Sequence, residues 1–96
     1  MKVYISLPIS GLPYQQQRDK ADRVKAALSR AGYEPVNPFE IYAGENPQYA
    51  DYLCSDLREL MDCEAIYLCA GWQYSKGCRI ERFVGQECGL KIFYEE

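Results

Sequence analysis

The stretch GWQYSKGCRIERFVGQECG, residues 71–89, decides the fold, because it reads as a loop running from a buried strand into a helix. Immediately upstream, Ala65-Ile66-Tyr67-Leu68-Cys69-Ala70 is a short, continuous apolar run. Such a run marks a strand covered on both faces in a parallel sheet. Downstream, Ile80, Phe83, Val84 and Cys88 recur at helical spacing and are expected to pack back onto that sheet. Gly71, Ser75 and Gly77 supply the turn and the cap, with Ser75 or Gly77 as the helix N-cap. The product is a strand, a loop and a helix N-terminus. In open α/β sheets ligands sit beyond the carboxyl ends of the strands, where backbone N–H groups and the helix dipole hold negative charge.

Outward from this stretch the rest of the chain supplies matching units. Lys2 to Ser6 is a short β-branched strand that stops at a loop carrying Pro8 and Pro13, where no helix can form. From Tyr14 to Ala31 the apolar residues Ala21, Val24, Leu28 and Ala31 keep helical spacing among charges, and Gly32 closes the helix. Tyr33-Glu34-Pro35-Val36 is a second strand, whose proline suits a sheet edge. Asn37-Pro38 opens a loop rich in aromatic residues, and from Tyr49 to Asp62 Leu53, Leu57 and Leu60 or Met61 form a helical stripe that leaves Asp51, Asp56 and Glu59 off it. After the central stretch, Lys91-Ile92-Phe93-Tyr94 is the last strand. A βαβαβαβ order with short links calls for a mostly parallel sheet. Residues 1–96 are expected to form one domain, with no repeat or linker.

Composition narrows the function. With 48% hydrophobic and 26% charged residues the chain is globular. A net charge of −3 argues against polymeric nucleic acid as partner and still admits a small nucleotide. The five cysteines are odd in number and include no closely spaced pair, the usage expected of reduced thiols in a cytoplasmic protein. With no histidine and no cysteines at ligand spacing, neither a metal nor a cofactor is expected, and acid–base chemistry falls to carboxylates, tyrosines, thiols or lysines. No secretory leader and no membrane span are expected either.

Glu81 is the first candidate for chemistry. A carboxylate in the first turns of a helix serves the dipole in many proteins. Here a glycine-bearing loop and apolar neighbours aim it at a cleft, with the dipole expected to keep it ionised. Asp56 and Tyr4 are further candidates, each with a plain alternative as a solvated helix residue and a core aromatic. Arg18, Lys76, Arg79 and Arg82 are candidates to meet a phosphate, and Tyr42, Tyr49 and Tyr52 to stack on a base.

These residues together resemble the nucleoside 2-deoxyribosyltransferase superfamily, above all its small phage and bacterial members. The resemblance rests on Tyr4-Ile5-Ser6, Leu7-Pro8-Ile9-Ser10-Gly11, Asn37-Pro38, Asp56-Leu57, Cys63-Glu64 and Trp72-x-x-Ser75-x-Gly77-x-x-x-Glu81, and covers nearly the whole chain. It implies a flavodoxin-like or Rossmann-like three-layer α/β sandwich with about four parallel strands. It also implies that Glu81 attacks the anomeric carbon and displaces the base, giving a covalent glycosyl-enzyme that a second base or water resolves. By the same resemblance Tyr4 orients Glu81, and Asp56 acts near the base or sugar, in proton delivery to the leaving base. Ser6, Pro8, Ile9, Gly11, Asn37, Trp72, Ser75 and Gly77 fall on positions that bind substrate.

The chain also departs from the superfamily pattern. Ser75 stands where the nucleoside transferases carry Asp, and matches the deoxynucleotide N-hydrolases, whose Ser meets a 5′-phosphate. That tilts the expected substrate toward a nucleoside monophosphate. The first loop lacks the arginine of those hydrolases, leaving Ser75, backbone N–H groups and Arg79 for the phosphate. Glu64 replaces an Asp, Phe83 stands where the larger enzymes have Gly, and the chain ends soon after its last strand, where a neighbouring subunit often completes the site. The expectation is a homo-oligomer that cleaves or transfers the N-glycosidic bond of deoxynucleosides or their 5′-monophosphates, with a non-catalytic nucleotide-binding module as the alternative. A phosphoacceptor receiver domain is disfavoured, because Ser6 and Ala70 occupy places that need acids.

Overall fold

A computed structural model describes residues 1–96. The order is β1 (Lys2–Ser6), α1 (Tyr14–Arg30), β2 (Glu34–Val36), α2 (Tyr49–Met61), β3 (Ala65–Leu68), α3 (Lys76–Glu87) and β4 (Lys91–Tyr94), with 3₁₀ turns at Pro38–Glu40 and Trp72–Tyr74. All three strand pairings are parallel and the sheet order is β2-β1-β3-β4. This is the expected flavodoxin-like arrangement, and Pro35 lies in an edge strand, where a missing N–H costs no ladder bond.

Two apolar clusters build the layers. Strand side chains alternate between faces, so Val3 and Ile5 of β1 join Ala65 of β3 and Ala21 and Leu28 of α1 on one face. On the other, Tyr4 of β1 joins Ile66 and Leu68 of β3, Leu60 of α2 and Cys78 of α3. Burying one of the large aliphatic side chains is worth about 1.5–3 kcal/mol, so both faces hold the sheet. The chain runs from β1 to β2 on one side of β1, then crosses to β3 on its other side. That reversal puts a crevice beyond the carboxyl ends of β1 and β3.

Several local expectations shift. β3 ends at Leu68 rather than Ala70, and Gly71, at φ +89°, turns the chain into a 3₁₀ turn. Gly32, at φ +91°, ends α1 through Tyr33 N–H to Leu28 C=O and Gly32 N–H to Ser29 C=O, and leaves Ala31 exposed rather than on the buried stripe. Met61 is exposed as well, Leu60 being the buried member of its pair. The larger correction concerns α3. Its buried residues are Cys78, Glu81 and Gly85, whereas Phe83 and Cys88 face outward. An apolar count rotates this helix because one of its interior side chains is charged.

Candidate active site

Ser75 is the N-cap of α3, its Oγ accepting the Cys78 N–H at 3.2 Å. The helix therefore begins at Lys76, and Glu81 lies in its second turn, beyond the reach of a dipole effect that fades within the first. What sets Glu81 is tertiary. It is 6% exposed, and burial pushes its carboxyl up, against two hydrogen bonds that hold it down. Tyr4 Oη donates to Oε2 at 2.7 Å and Ser6 Oγ donates to Oε1 at 2.7 Å. Both donors come from the same face of β1, two residues apart, which is the spacing that puts strand side chains side by side. The expectation that the helix dipole keeps Glu81 ionised gives way to this hydroxyl pair.

Asp56 shares the cleft. Tyr49, Tyr52, Leu53 and Asp56 follow one another at i, i+3, i+4 and i+7 along α2 and all line it. Burial, then the neighbouring Glu81 charge, pushes the Asp56 carboxyl to about 7. Glu81 accepts two short hydrogen bonds from hydroxyls, so of the two carboxyls it is the better stabilised as an anion, and Asp56 takes the proton. Two carboxyls in one cleft with opposed protonation states are an acid and a nucleophile or base. Tyr4, pushed well above 10.0 by burial and then by Glu81, stays a donor.

The cleft has a volume of about 1020 Å³, room for a nucleotide-sized ligand. One end holds Ser75, Lys76 and Gly77 at the start of α3. Aromatic side chains line the cleft as well, among them Tyr14 and Phe39, whose rings meet edge to face at 5.4 Å. Of the residues singled out in the sequence, Glu81, Asp56, Tyr4, Ser75, Gly77 and Ile9 converge here, with Tyr49, Tyr52 and Lys76.

Others fall elsewhere. Trp72 stacks beneath the Arg82 guanidinium at 5.2 Å and against Tyr94, outside the cleft. Asn37 is buried as the cap of the Pro38–Glu40 turn, accepting from Phe39 N–H at 2.9 Å. Pro8 packs toward Gly71, exposed Gly11 makes a positive-φ turn, and Arg79 donates to the Gln73 carbonyl at 2.8 Å. Tyr42 is 77% exposed and is not part of the cleft wall. Ser6, read as a substrate contact, is 1% exposed and spends its hydroxyl on Glu81. Leu53, Tyr74 and Cys78 line the cleft without having been singled out for it. The spacing of Leu53 relative to Asp56 held the signal, whereas nothing local marked Tyr74.

Residues 1–94 match the family model described as "Domain of unknown function (DUF4406)". No curated protein matches the chain. Among solved structures, the fold is similar to that of the Clostridium botulinum CMP N-glycosidase BcmB, at 19% identity and a TM-score of 0.67, over 98% of this chain and 67% of that one. At that identity the likeness is one of fold.

Proposed function

The chain belongs to the DUF4406 family, and we propose that it is an N-glycosidase of nucleoside 5′-monophosphates, related to the nucleoside 2-deoxyribosyltransferases and using Glu81 as nucleophile. The observation that carries this reading is a buried carboxylate clamped by two hydroxyls at 2.7 Å in one nucleotide-sized cleft with a second carboxyl, which burial pushes up to about 7. The fold shared with a protein named as a CMP N-glycosidase supports it.

The chemistry balances on these residues. A Glu81 oxygen gives an electron pair to the anomeric carbon as the C1′–N bond breaks, and that bond's pair leaves with the base. Asp56, protonated near neutrality, passes its proton to the departing base. The intermediate is a glycosyl ester of Glu81. Water then attacks the anomeric carbon and the ester C–O pair returns to Glu81. The water's proton goes to the Asp56 carboxylate, which restores both groups. Through each half the hydroxyls of Tyr4 and Ser6 stabilise the anionic form of Glu81. The phosphate is placed at Ser75, Lys76 and the Gly77 N–H, where a cation and a helix N-terminus coincide. The base lies against Tyr49 and Tyr52.

The test is incubation of the protein with CMP, dCMP, the other ribo- and deoxynucleoside monophosphates and the matching nucleosides, with free base followed by chromatography. Base released from monophosphates and lost in Glu81→Gln is the expected result. Release that requires an added second base makes the reaction a transfer. Tight binding of intact nucleotide with no release from any substrate overturns the enzyme reading and leaves a binding module.

A further inference from the structure

Two buried hydroxyls hold Glu81, and of the two only Tyr4 is part of the cleft wall. Ser6 ends β1, is 1% exposed and forms no part of the cleft wall, yet its Oγ stands 2.7 Å from Glu81 Oε1. Tyr4, two residues earlier on the same strand face, does line the cleft, and its hydroxyl stands 2.7 Å from Oε2. The two donors therefore hold different oxygens of the carboxylate, Oε2 from a residue of the cleft wall and Oε1 from one that is not. A carboxyl group turns almost freely about its last single bond. Here a partial turn lengthens both hydrogen bonds at once, so the plane of the carboxylate is fixed by two adjacent positions of one rigid strand. Neither donor is on a loop, the placement that holds a reacting group best.

We propose that Ser6 is a positioning residue for the nucleophile: it holds Oε1 as the oxygen that does not attack, and so leaves Oε2, the oxygen held by the cleft-lining Tyr4, to bond the anomeric carbon. The assignment rests on the N-glycosidase reading and deepens it. When Oε2 gives its pair to C1′, the C1′–N pair departs with the base, and Oε1 becomes the carbonyl oxygen of the ester while still accepting from Ser6. When water displaces the ester, the C1′–Oε2 pair returns to Glu81 and the charge is shared again with Oε1. The Ser6 bond thus persists through both displacements and is strongest when the carboxylate is free. The Tyr4 bond, made to the attacking oxygen, weakens as that oxygen loses its charge. Loss of Ser6 therefore slows departure of the carboxylate in the second step, and loss of Tyr4 does so less.

The test reads Glu81 directly. Carbon-13 NMR of the glutamate side-chain carboxyls, with Glu81 assigned by its absence in Glu81→Gln, gives its titration in the wild type, in Ser6→Ala and in Ser6→Thr. The other groups facing Glu81 are Tyr4 from β1, Asp56 from α2 and Cys78 from its own helix, and all are kept in these variants. Ser6→Ala is expected to move the Glu81 titration up by about 1 pH unit, and Ser6→Thr, which keeps the hydroxyl, to restore it. In base release the acid limb of kcat/KM moves by the same amount, and KM stays within about twofold. A limb and titration that stay put in an active, folded Ser6→Ala protein overturn the proposal, as does a rise in KM with no shift, which marks a substrate contact. If Ser6→Ala does not fold, Ser6→Thr with wild-type titration and rate supports the hydroxyl's role, and a shifted titration there overturns it. A wild-type protein that releases no base from any nucleotide overturns the N-glycosidase reading, and the attacking oxygen with it. An active enzyme with an unmoved titration overturns the positioning role alone.

Discussion

The two faces of the sheet are built from the same strands and put to different uses. On the α1 face the strand side chains, Val3, Ile5 and Ala65 among them, pack in an apolar cluster with Ala21 and Leu28. On the α2–α3 face the alternate residues of β1 are Tyr4 and Ser6, and they meet a buried glutamate. Burying a carboxylate is costly unless it is hydrogen-bonded, and here both oxygens are satisfied by neighbours fixed in a strand. One face is given to cohesion. The other gives up part of its apolar contact to hold a charge where a ligand can meet it.

Substitutions on the two faces are expected to separate activity from stability. The largest effect is expected from Glu81→Gln, which lowers base release by about 10³-fold or more, read by chromatography. Its thermal midpoint at pH 7 is expected at or above that of the wild type. Burial raises the folded-state affinity of Glu81 for a proton, so its contribution to stability is present at low pH and is lost as pH rises through the folded value.

Asp56→Asn comes next, with a loss of about 10²-fold in base release. The wild-type rate is expected to fall above about 7, as Asp56 gives up its proton, and this alkaline limb disappears in the variant. Stability follows the same group. With a folded value near 7 against an ordinary 3.8, Asp56 binds its proton more tightly when folded, so its contribution declines as pH rises across that window. Denaturant midpoints measured from pH 4 to pH 8 should fall more steeply in the wild type than in Asp56→Asn.

Leu28→Ala, on the opposite face, is expected to destabilise by about 2 kcal/mol, read in urea unfolding, while KM and the pH profile of the folded protein stay unchanged. A pH profile that moved in this variant would break the separation of the faces. Tyr4→Phe sharpens the contrast from the other side. It keeps the ring and removes one donor to Oε2, so kcat is expected to fall about tenfold, with the acid limb shifted upward and little change in KM. Smallest of all, Gly85→Ala places a methyl group in ordinary contact with Ile66, 3.5 Å from its Cγ2. In a helix interior that exchange is expected to stabilise by about 0.5–1 kcal/mol, seen as a raised thermal midpoint with no change in rate.

Glu81 shows how far a sequence reading reaches in this molecule. Its loop, its helix and its place beyond a buried strand are local features, carried by the apolar run at residues 65–70 and by Ser75 as a cap. The face of α3 it occupies is a different matter. Counting apolar residues chose Ile80, Phe83, Val84 and Cys88; Val84 does pack against the core, but Phe83 and Cys88 face outward and the fully buried residues are Cys78, Glu81 and Gly85. The partners that make Glu81 an interior residue, Tyr4 and Ser6, are 77 and 75 positions away. Asp56 is an intermediate case: its spacing with Tyr49, Tyr52 and Leu53 traces a second stripe beside the leucine stripe, and only the packed helix shows that this stripe faces a cleft. Trp72 and Asn37 show the reverse, since a motif position alone did not reveal that one stacks on Arg82 and the other caps a turn.

By itself the sequence determined the order of strands and helices, the edge position of the proline-bearing strand and the loop after β3, because periodicity, prolines and caps act over a few residues. Only the tertiary structure decided which carboxyl is ionised, which hydroxyls hold it and which of the motif residues share one cleft. Those properties depend on burial and on contacts between distant segments, and neither exists until the sheet has closed around them.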